Sequence, residues 1–371
     1  MDKDISLARR IAFSTLKGVS VPQLIGVLDT LSDVDSFFEM SQRELCGLLG
    51  FNAPFCSEDY RKKIVAEAMT EVGFVNKNNV RVRFYGEVDY PTRLMQCYDA
   101  PIALYSIGSA DINAKHIISV VGTRRATSYG VDFTNNFIAE LSETVDDLLV
   151  ISGLAYGIDV AAHRGALKAN VPTAAVVAHG LNTIYPADHR NVAANIVNTG
   201  GSIISEYKSD AAIHKGNFLA RNRIVAGLSD VVIVVESARK GGALVTADLA
   251  FKYDRDVCAV PGRVTDRYSQ GCNSLIAHDK AHILRGVKDL LEVTGWEATP
   301  HEGQQASFDF DNLPAEQVSI IELLRANPNF TTANVANSLG ITVAQASARL
   351  TEMEMDDLLT AIPGGTFQLM V

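Results

Sequence analysis

Cysteine is scarce. The 371 residues hold five (Cys46, Cys56, Cys97, Cys258 and Cys272), and no two are spaced C-x-x-C. That argues against a disulfide framework and a zinc site, and it suits a reducing compartment. There is no apolar run of the roughly 18 residues that a membrane span needs. The opening Met1-Asp2-Lys3-Asp4 is acidic and leads into no apolar stretch of the kind a secretory signal carries. A cytoplasmic protein with no membrane partner is expected.

Positive charge is also in deficit, with 33 Lys+Arg against 43 Asp+Glu and a net charge of −10. Taken whole, that balance disfavours a polyanionic partner, but its distribution changes the reading. Residues 1–113 carry 12 basic and 15 acidic side chains, residues 114–290 carry 19 and 17, and residues 291–371 carry 2 and 11. Only the middle part is not acidic. If one domain meets phosphates, it is that one.

The pattern of apolar residues divides the chain. Leu7, Ile11 and Leu16, and then Leu45, Leu48 and Leu49, recur at helical spacing, with breaks at Gly18, Ser32 and Gly50. Residues 1–80 are therefore expected to form a small helical domain of the SAM or helix-hairpin-helix kind. Residues 84–113 suggest a bridging segment with a short strand or two. From Ile117 onward, Val- and Ile-rich runs at 117–121, 148–152, 173–178, 202–205, 231–236 and 257–260 alternate with segments long enough for helices. Near-continuous apolar strands alternating with helices predict an α/β domain, 81–292, built on a Rossmann-like, doubly wound parallel sheet. Residues 293–312 are polar and read as a linker. In 313–371, three helices precede a Pro363-Gly364-Gly365 turn between two apolar runs, the pattern of a winged helix.

Three strand-to-helix junctions carry the chemistry. The first strand ends in Val121-Gly122-Thr123-Arg124-Arg125, and a helix follows Ser128. Such a junction presents free backbone N–H groups and the positive end of a helix dipole to an anion. The loop is neither G-x-G-x-x-G nor a P-loop, and Ser152-Gly153 stand where a ribose-binding acid would close the second strand. No dinucleotide, other cofactor or metal is expected. A second cluster, Lys215-Gly216-Asn217-Phe218 with Arg221-Asn222-Arg223, opens another helix. The third junction holds Gly241 and Gly242. Loops at the strand C-termini of an open parallel sheet gather on one edge. Cations beside an aromatic platform are the chemistry of single-strand binding, at roughly 1–3 kcal/mol per stacked base. The residues alone leave a second reading open, in which Phe218 packs into the core and Arg221 and Arg223 pair with carboxylates.

These motifs resemble the DprA (Smf) family of DNA-processing proteins. Beside the first loop stand Ser152-Gly153-Leu154-Ala155-Tyr156-Gly157-Ile158-Asp159 with Ala162-His163, Tyr185-Pro186, Ser205-Glu206-Tyr207, Gly227-Leu228-Ser229, Ala259-Val260-Pro261-Gly262 and Gly271-Cys272-Asn273-Ser274, all in family order over about 85–290. The resemblance implies a non-enzymatic protein that binds and protects single-stranded DNA. It also implies that the protein helps load the RecA recombinase during natural transformation and dimerises through the Rossmann-like domain. It places DNA contacts at Arg124, Lys215 and Phe218, with Gly122, Thr123 and 221–223 lining the pocket. The sequence departs from the family in lacking proline over 208–214, in Tyr156 where an arginine is common, and in Asn182 where an aspartate is common.

Rival readings are weighed against this. Asp159 and His163, four apart, could pass for an acid–base pair, but no G-x-S-x-G elbow supplies a nucleophile, and an acid suits the first turn of a helix. Related Rossmann-like phosphoribohydrolases hydrolyse nucleotide derivatives through a P-G-G-x-G-T-x-x-E signature. Here Gly241-Gly242 leads to Thr246 at a different spacing, with Asp248 beyond it and no glutamate in place. A duplex-reading role for 313–371 meets Glu352, Glu354, Asp356 and Asp357 around Arg349, all of which would repel phosphates. That unit is expected to serve partner or self contacts, and the segment 275–283 to form the dimer face.

Overall fold

The computed structural model describes residues 2–31, 33–299, 314–327, 330–355, 358–362 and 365–369. The chain divides into two compact units, Met1–Thr299 and Pro300–Val371.

The first unit is built on nine strands: β1 (Arg81–Phe84), β2 (Ala103–Gly108), β3 (His116–Val121), β4 (Leu148–Ser152), β5 (Thr173–Val176), β6 (Ser202–Ser205), β7 (Val231–Val234), β8 (Asp256–Ala259) and β9 (His282–Ile283). Their order is β1-β2-β6-β5-β4-β3-β7-β8-β9. From β6 to β9 every neighbouring pair is parallel, whereas β2 runs antiparallel to β6 and β1 antiparallel to β2.

Alternation along the strands sends side chains to two separate cores. Ile117, Val121, Ile151 and Val234 join Ile224, Val225 and Ala247 on one face. Ile118, Val120, Val150 and Ile233 join Phe137, Ile138 and Ala162 on the other. Helices Lys215–Gly227 and Gly242–Lys252 thus cover one face, and Ser128–Thr144 and Ile158–Lys168 cover the other. Covering both faces is what the near-continuous apolar runs demand.

The N-terminal helices close the antiparallel end. Ala8, Ile11 and Ala12 pack with Ala68 and Val72 of helix Glu58–Lys77 and with Phe84, Ala103 and Tyr105 of β1 and β2. The buried Glu71 carboxylate accepts from the Ser209 amide at 2.9 Å and from its hydroxyl at 2.7 Å, tying that helix to the loop after β6. At the break read at Gly50 the residue takes a left-handed conformation (φ +74°) that ends helix Gln42–Leu49. The break read at Ser32 lies outside the described residues.

Of the segment expected to be a linker, residues 293–299 are packed. Trp296 sits 4.5 Å from the His116 ring, and the Thr299 amide donates to the Thr144 carbonyl at 2.9 Å. The remainder, 300–312, lies outside the described residues. In the second unit, helices Ala315–Ala326, Thr332–Leu339 and Val343–Met355 surround Ile320, Ile321, Val335, Leu350 and Met353, beside an antiparallel pair, Leu359–Ile362 with Thr366–Leu369. Arg349 pairs with Glu316 at 2.9 Å, and Glu354 accepts from the Ala361 amide. Asp356 and Asp357 lie outside the described residues.

Candidate nucleic-acid interface

The chain leaves β3 toward β4 on one side and returns to β7 on the other, so the sheet reverses its strand order between β3 and β7. Ligands of open α/β sheets bind at such a point, beyond the strand C-termini. A cleft of about 510 Å³ lies there, lined by Gly122–Arg125 from the loop after β3 and by Ser237, Ala238 and Lys240–Ala243 from the loop after β7. Helix Lys215–Gly227 supplies Phe218, Leu219, Arg221 and Asn222. The loop after β8 adds Arg267 and Tyr268 and is anchored by the Ser237 amide, which donates to the Tyr268 carbonyl. The loop after β4 adds Ala155, and the first turn of helix Ile158–Lys168 adds Asp159.

Charge in the lining is one-sided. Arg124, Arg125, Arg221, Lys240 and Arg267 face a single carboxylate, Asp159. Arg124 is exposed, and its guanidinium lies over the half-buried Phe218 ring, 5.5 Å from the centroid. The other edge of Phe218 meets the Tyr185 ring at 5.7 Å. Phe218 is therefore neither a core residue nor a free one. Its ring is held in place by an arginine and a tyrosine and still opens to the cleft.

The sequence-predicted residues separate into groups. Gly122, Thr123, Arg124, Arg125, Phe218, Arg221, Asn222, Gly241 and Gly242 share the cleft. Lys215, Asn217 and Arg223 do not line it. Lys215 is the exposed first residue of its helix, three before Phe218, so the two occupy neighbouring positions on one helical face.

Two arginines have structural work. Arg221 is 4% exposed and donates to the carbonyls of Gly153 (2.7 Å) and Val176. Burial lowers its pKa, and Asp159 opposes that shift. Burial raises the Asp159 carboxyl while Arg221 pulls it back. Arg223 is paired with Glu206. Arg223, expected to line the pocket, instead makes the carboxylate pairing that the residues had left open. Arg221 contributes charge from the cleft floor and not from a mobile side chain.

The helix N-terminus after the first loop corrects a second expectation. Helix Ser128–Thr144 does not offer its first turn to a ligand. Thr127 caps it, and the buried Glu236 carboxylate accepts from the Thr127 amide at 2.9 Å and the Thr127 hydroxyl at 2.5 Å. A Cβ at Gly130 would stand 2.5 Å from the same carboxylate, so glycine is what lets the helix approach it. Helix Gly242–Lys252 differs. Gly241 caps it without a side-chain hydrogen bond, and its first turn holds no acid. Of these two junctions, only the Gly242 helix presents an N-terminus without a side-chain cap to the cleft.

Asp159 and His163 bond to different partners. Asp159 accepts from the Ala155 amide. His163 is fully buried, with its Nδ1 2.8 Å from the Thr173 hydroxyl. That hydroxyl donates its one hydrogen to the Val150 carbonyl, so Nδ1 carries the imidazole proton and Nε2 is left without a partner. Burial pulls the His163 pKa down to about 3. Among the described residues no group of three or more His, Cys, Asp or Glu could hold a metal ion, and no helix is long and apolar enough to cross a membrane.

The sequence patterns pointed to none of Lys240, Arg267 and Tyr268, which also line the cleft. All three sit in loops that follow strands. The rule that gathers such loops on one edge could have found them, had β8 been used as β3 and β7 were.

Comparison with known proteins places this geometry in a family. The profile described as DNA recombination-mediator protein A matches residues 81–295. The chain is 33% identical over 287 residues to Protein Smf of Escherichia coli, spanning 76% of this chain and 75% of that protein. It is 37% identical over 202 residues to the DNA processing protein DprA of Streptococcus pneumoniae, spanning 54% and 70%. The X-ray structure of the Streptococcus pneumoniae protein superposes with a TM-score of 0.65 at 29% identity, covering 78% of this chain and 99% of that one. The Helicobacter pylori DNA processing protein A, described for its single-stranded DNA binding mode, superposes with a TM-score of 0.51 at 30% identity, covering 57% and 94%. This chain therefore belongs to the DNA recombination-mediator protein A family.

Proposed function

We propose that the protein binds single-stranded DNA along the strand-C-terminal edge between β3 and β7, and that it protects the strand and helps load RecA recombinase onto it during DNA uptake. The observation that carries this reading is a cleft with five cations to one carboxylate, in which a half-open phenylalanine ring lies under an arginine. Phosphates run past Arg124, Arg125 and Lys240 and over the amides of Gly241 and Gly242. Phe218 stacks a base, Asn222 and Thr123 donate to the strand, and Lys215 and Asn217 extend the path along their helix. Binding through phosphates and stacking is sequence-tolerant and weakens with salt. The protein acts in the cytoplasm and is not an enzyme. It works as a dimer joined through the Rossmann-like domain near 275–283, where Ile283 of the edge strand β9 is exposed. Residues 1–80 form the helical domain. Residues 313–371 form a winged helix that serves protein contacts, since Arg349, the basic residue of helix Val343–Met355, is engaged by Glu316.

The test is a titration of the full chain with single- and double-stranded oligonucleotides at two salt concentrations. Preference for the single strand, with affinity falling as salt rises, supports the reading. Equal affinity for both forms contradicts it. Incubation with nucleoside monophosphates, followed by detection of free base, tests the hydrolase alternative.

A further inference from the structure

A second cleft, of about 330 Å³, opens on the far side of the Arg124–Arg125 ridge. The two arginines line both clefts, and the second adds Tyr156, Gly157 and Arg164. Gly157 makes the ridge possible. It has φ +77°, and a Cβ there would collide with the Thr123 carbonyl oxygen and crowd the Arg124 Cα at 2.9 Å. The loop after β4 is thereby pressed against the loop after β3, with Tyr156 and Arg164 flanking the contact.

The side chains here are available. Arg125 and Arg164 are exposed, and neither they nor Arg124 has a carboxylate partner among the described residues, whereas Arg93, Arg223, Arg285 and Arg349 all do. Three guanidiniums around one small concavity repel each other unless an anion joins them. Tyr156 is 43% exposed, and its ring is fixed from two sides. Its hydroxyl donates to Asp188 at 2.8 Å, and its edge meets the His189 ring at 4.9 Å. A fixed, open aromatic ring beside unpaired guanidiniums repeats the composition of the first cleft.

From this we infer that the second cleft is another nucleotide subsite: a single strand leaving Phe218 crosses the ridge with a phosphate held by Arg124 and Arg125, stacks a further base on Tyr156, and places the next phosphate on Arg164. The inference rests on the single-strand reading of the first cleft and deepens it, giving the strand a direction and a longer footprint.

The test compares oligothymidylates of about 4 and about 12 nucleotides, within the span one single-strand binding domain covers, on the full chain and four variants. Arg164→Ala and Tyr156→Leu are expected to bind the longer strand about fivefold or more weakly while the shorter is unaffected. Tyr156→Phe keeps the ring and retains wild-type affinity. Arg164→Ala is also expected to lower the salt slope on the longer strand by about 0.7, the value for one lost phosphate contact. Tyr156 and Arg164 are exposed, so unchanged melting temperatures confirm intact folds in their variants. Wild-type affinity for the longer strand in both variants, or an equal loss on both lengths, overturns the second subsite. Failure of the first-cleft reading shows separately, as wild-type binding of the shorter strand by Phe218→Ala.

Discussion

The Glu236 carboxylate closes on Thr127, accepting from its amide at 2.9 Å and its hydroxyl at 2.5 Å. The protein's own anion thus fills the helix N-terminus that lies nearest the first glycine turn. Positive charge in the cleft comes instead from side chains and from the glycine-capped helix Gly242–Lys252. Glu236→Ala should leave the Thr127 amide and hydroxyl without their carboxylate partner and loosen the start of helix Ser128–Thr144, at a cost of about 2 kcal/mol. Urea unfolding of the variant should show a lower midpoint with an unchanged slope. A midpoint equal to wild type would contradict the role assigned to Glu236.

Phe218 and Arg124 should be separable by their salt behaviour. Phe218→Ala removes a stacking surface, so single-strand affinity should fall by about 1–3 kcal/mol with the salt slope unchanged. Arg124→Ala removes a phosphate contact, so affinity should fall for all sequences alike and the slope by about 0.7. Anisotropy titrations at several salt concentrations measure both. An unchanged slope in Arg124→Ala places the strand elsewhere.

Arg221 should behave as a folding residue before it behaves as a binding residue. It satisfies the Gly153 and Val176 carbonyls and lies within electrostatic reach of the buried Asp159. Arg221→Met strands that carboxylate and should cost about 3 kcal/mol. In an Asp159→Asn background the same change should cost less. A double-mutant cycle on unfolding free energies reads the coupling, and strict additivity would remove it.

His163 sets a pH dependence. Its pKa falls from about 6.5 in the unfolded chain to about 3 in the folded one. Between those values the unfolded state holds more protons, so stability rises with pH. The contribution is complete above about pH 6.5 and is lost as pH falls toward 3, with a limiting slope of about 1.4 kcal/mol per pH unit. His163→Asn should flatten the stability profile over that window. A profile indistinguishable from wild type would show that other groups govern acid unfolding.

How far the sequence reached depends on what each feature needs. The six strands read from Val- and Ile-rich runs all exist, because a strand covered on both faces must be apolar throughout, and such runs are visible locally. The segments left between those runs are helices, as their length required. The short strand β9 and the antiparallel attachment of β2 to β6 and of β1 to β2 carry no such mark. Two to six residues at a sheet edge are specified by what they pair with.

For the site, residue types and their order along the chain determined which loops bear cations, glycines and an aromatic ring, since chemistry of that kind is written in the residues themselves. Only the tertiary structure decided which charges are free. Arg124, Arg125 and Arg164 stand open while Arg223 is spent on Glu206 and Arg221 on two carbonyls. Whether a guanidinium meets solvent or an internal partner depends on groups tens of residues away in sequence, and folding brings them within a few ångströms.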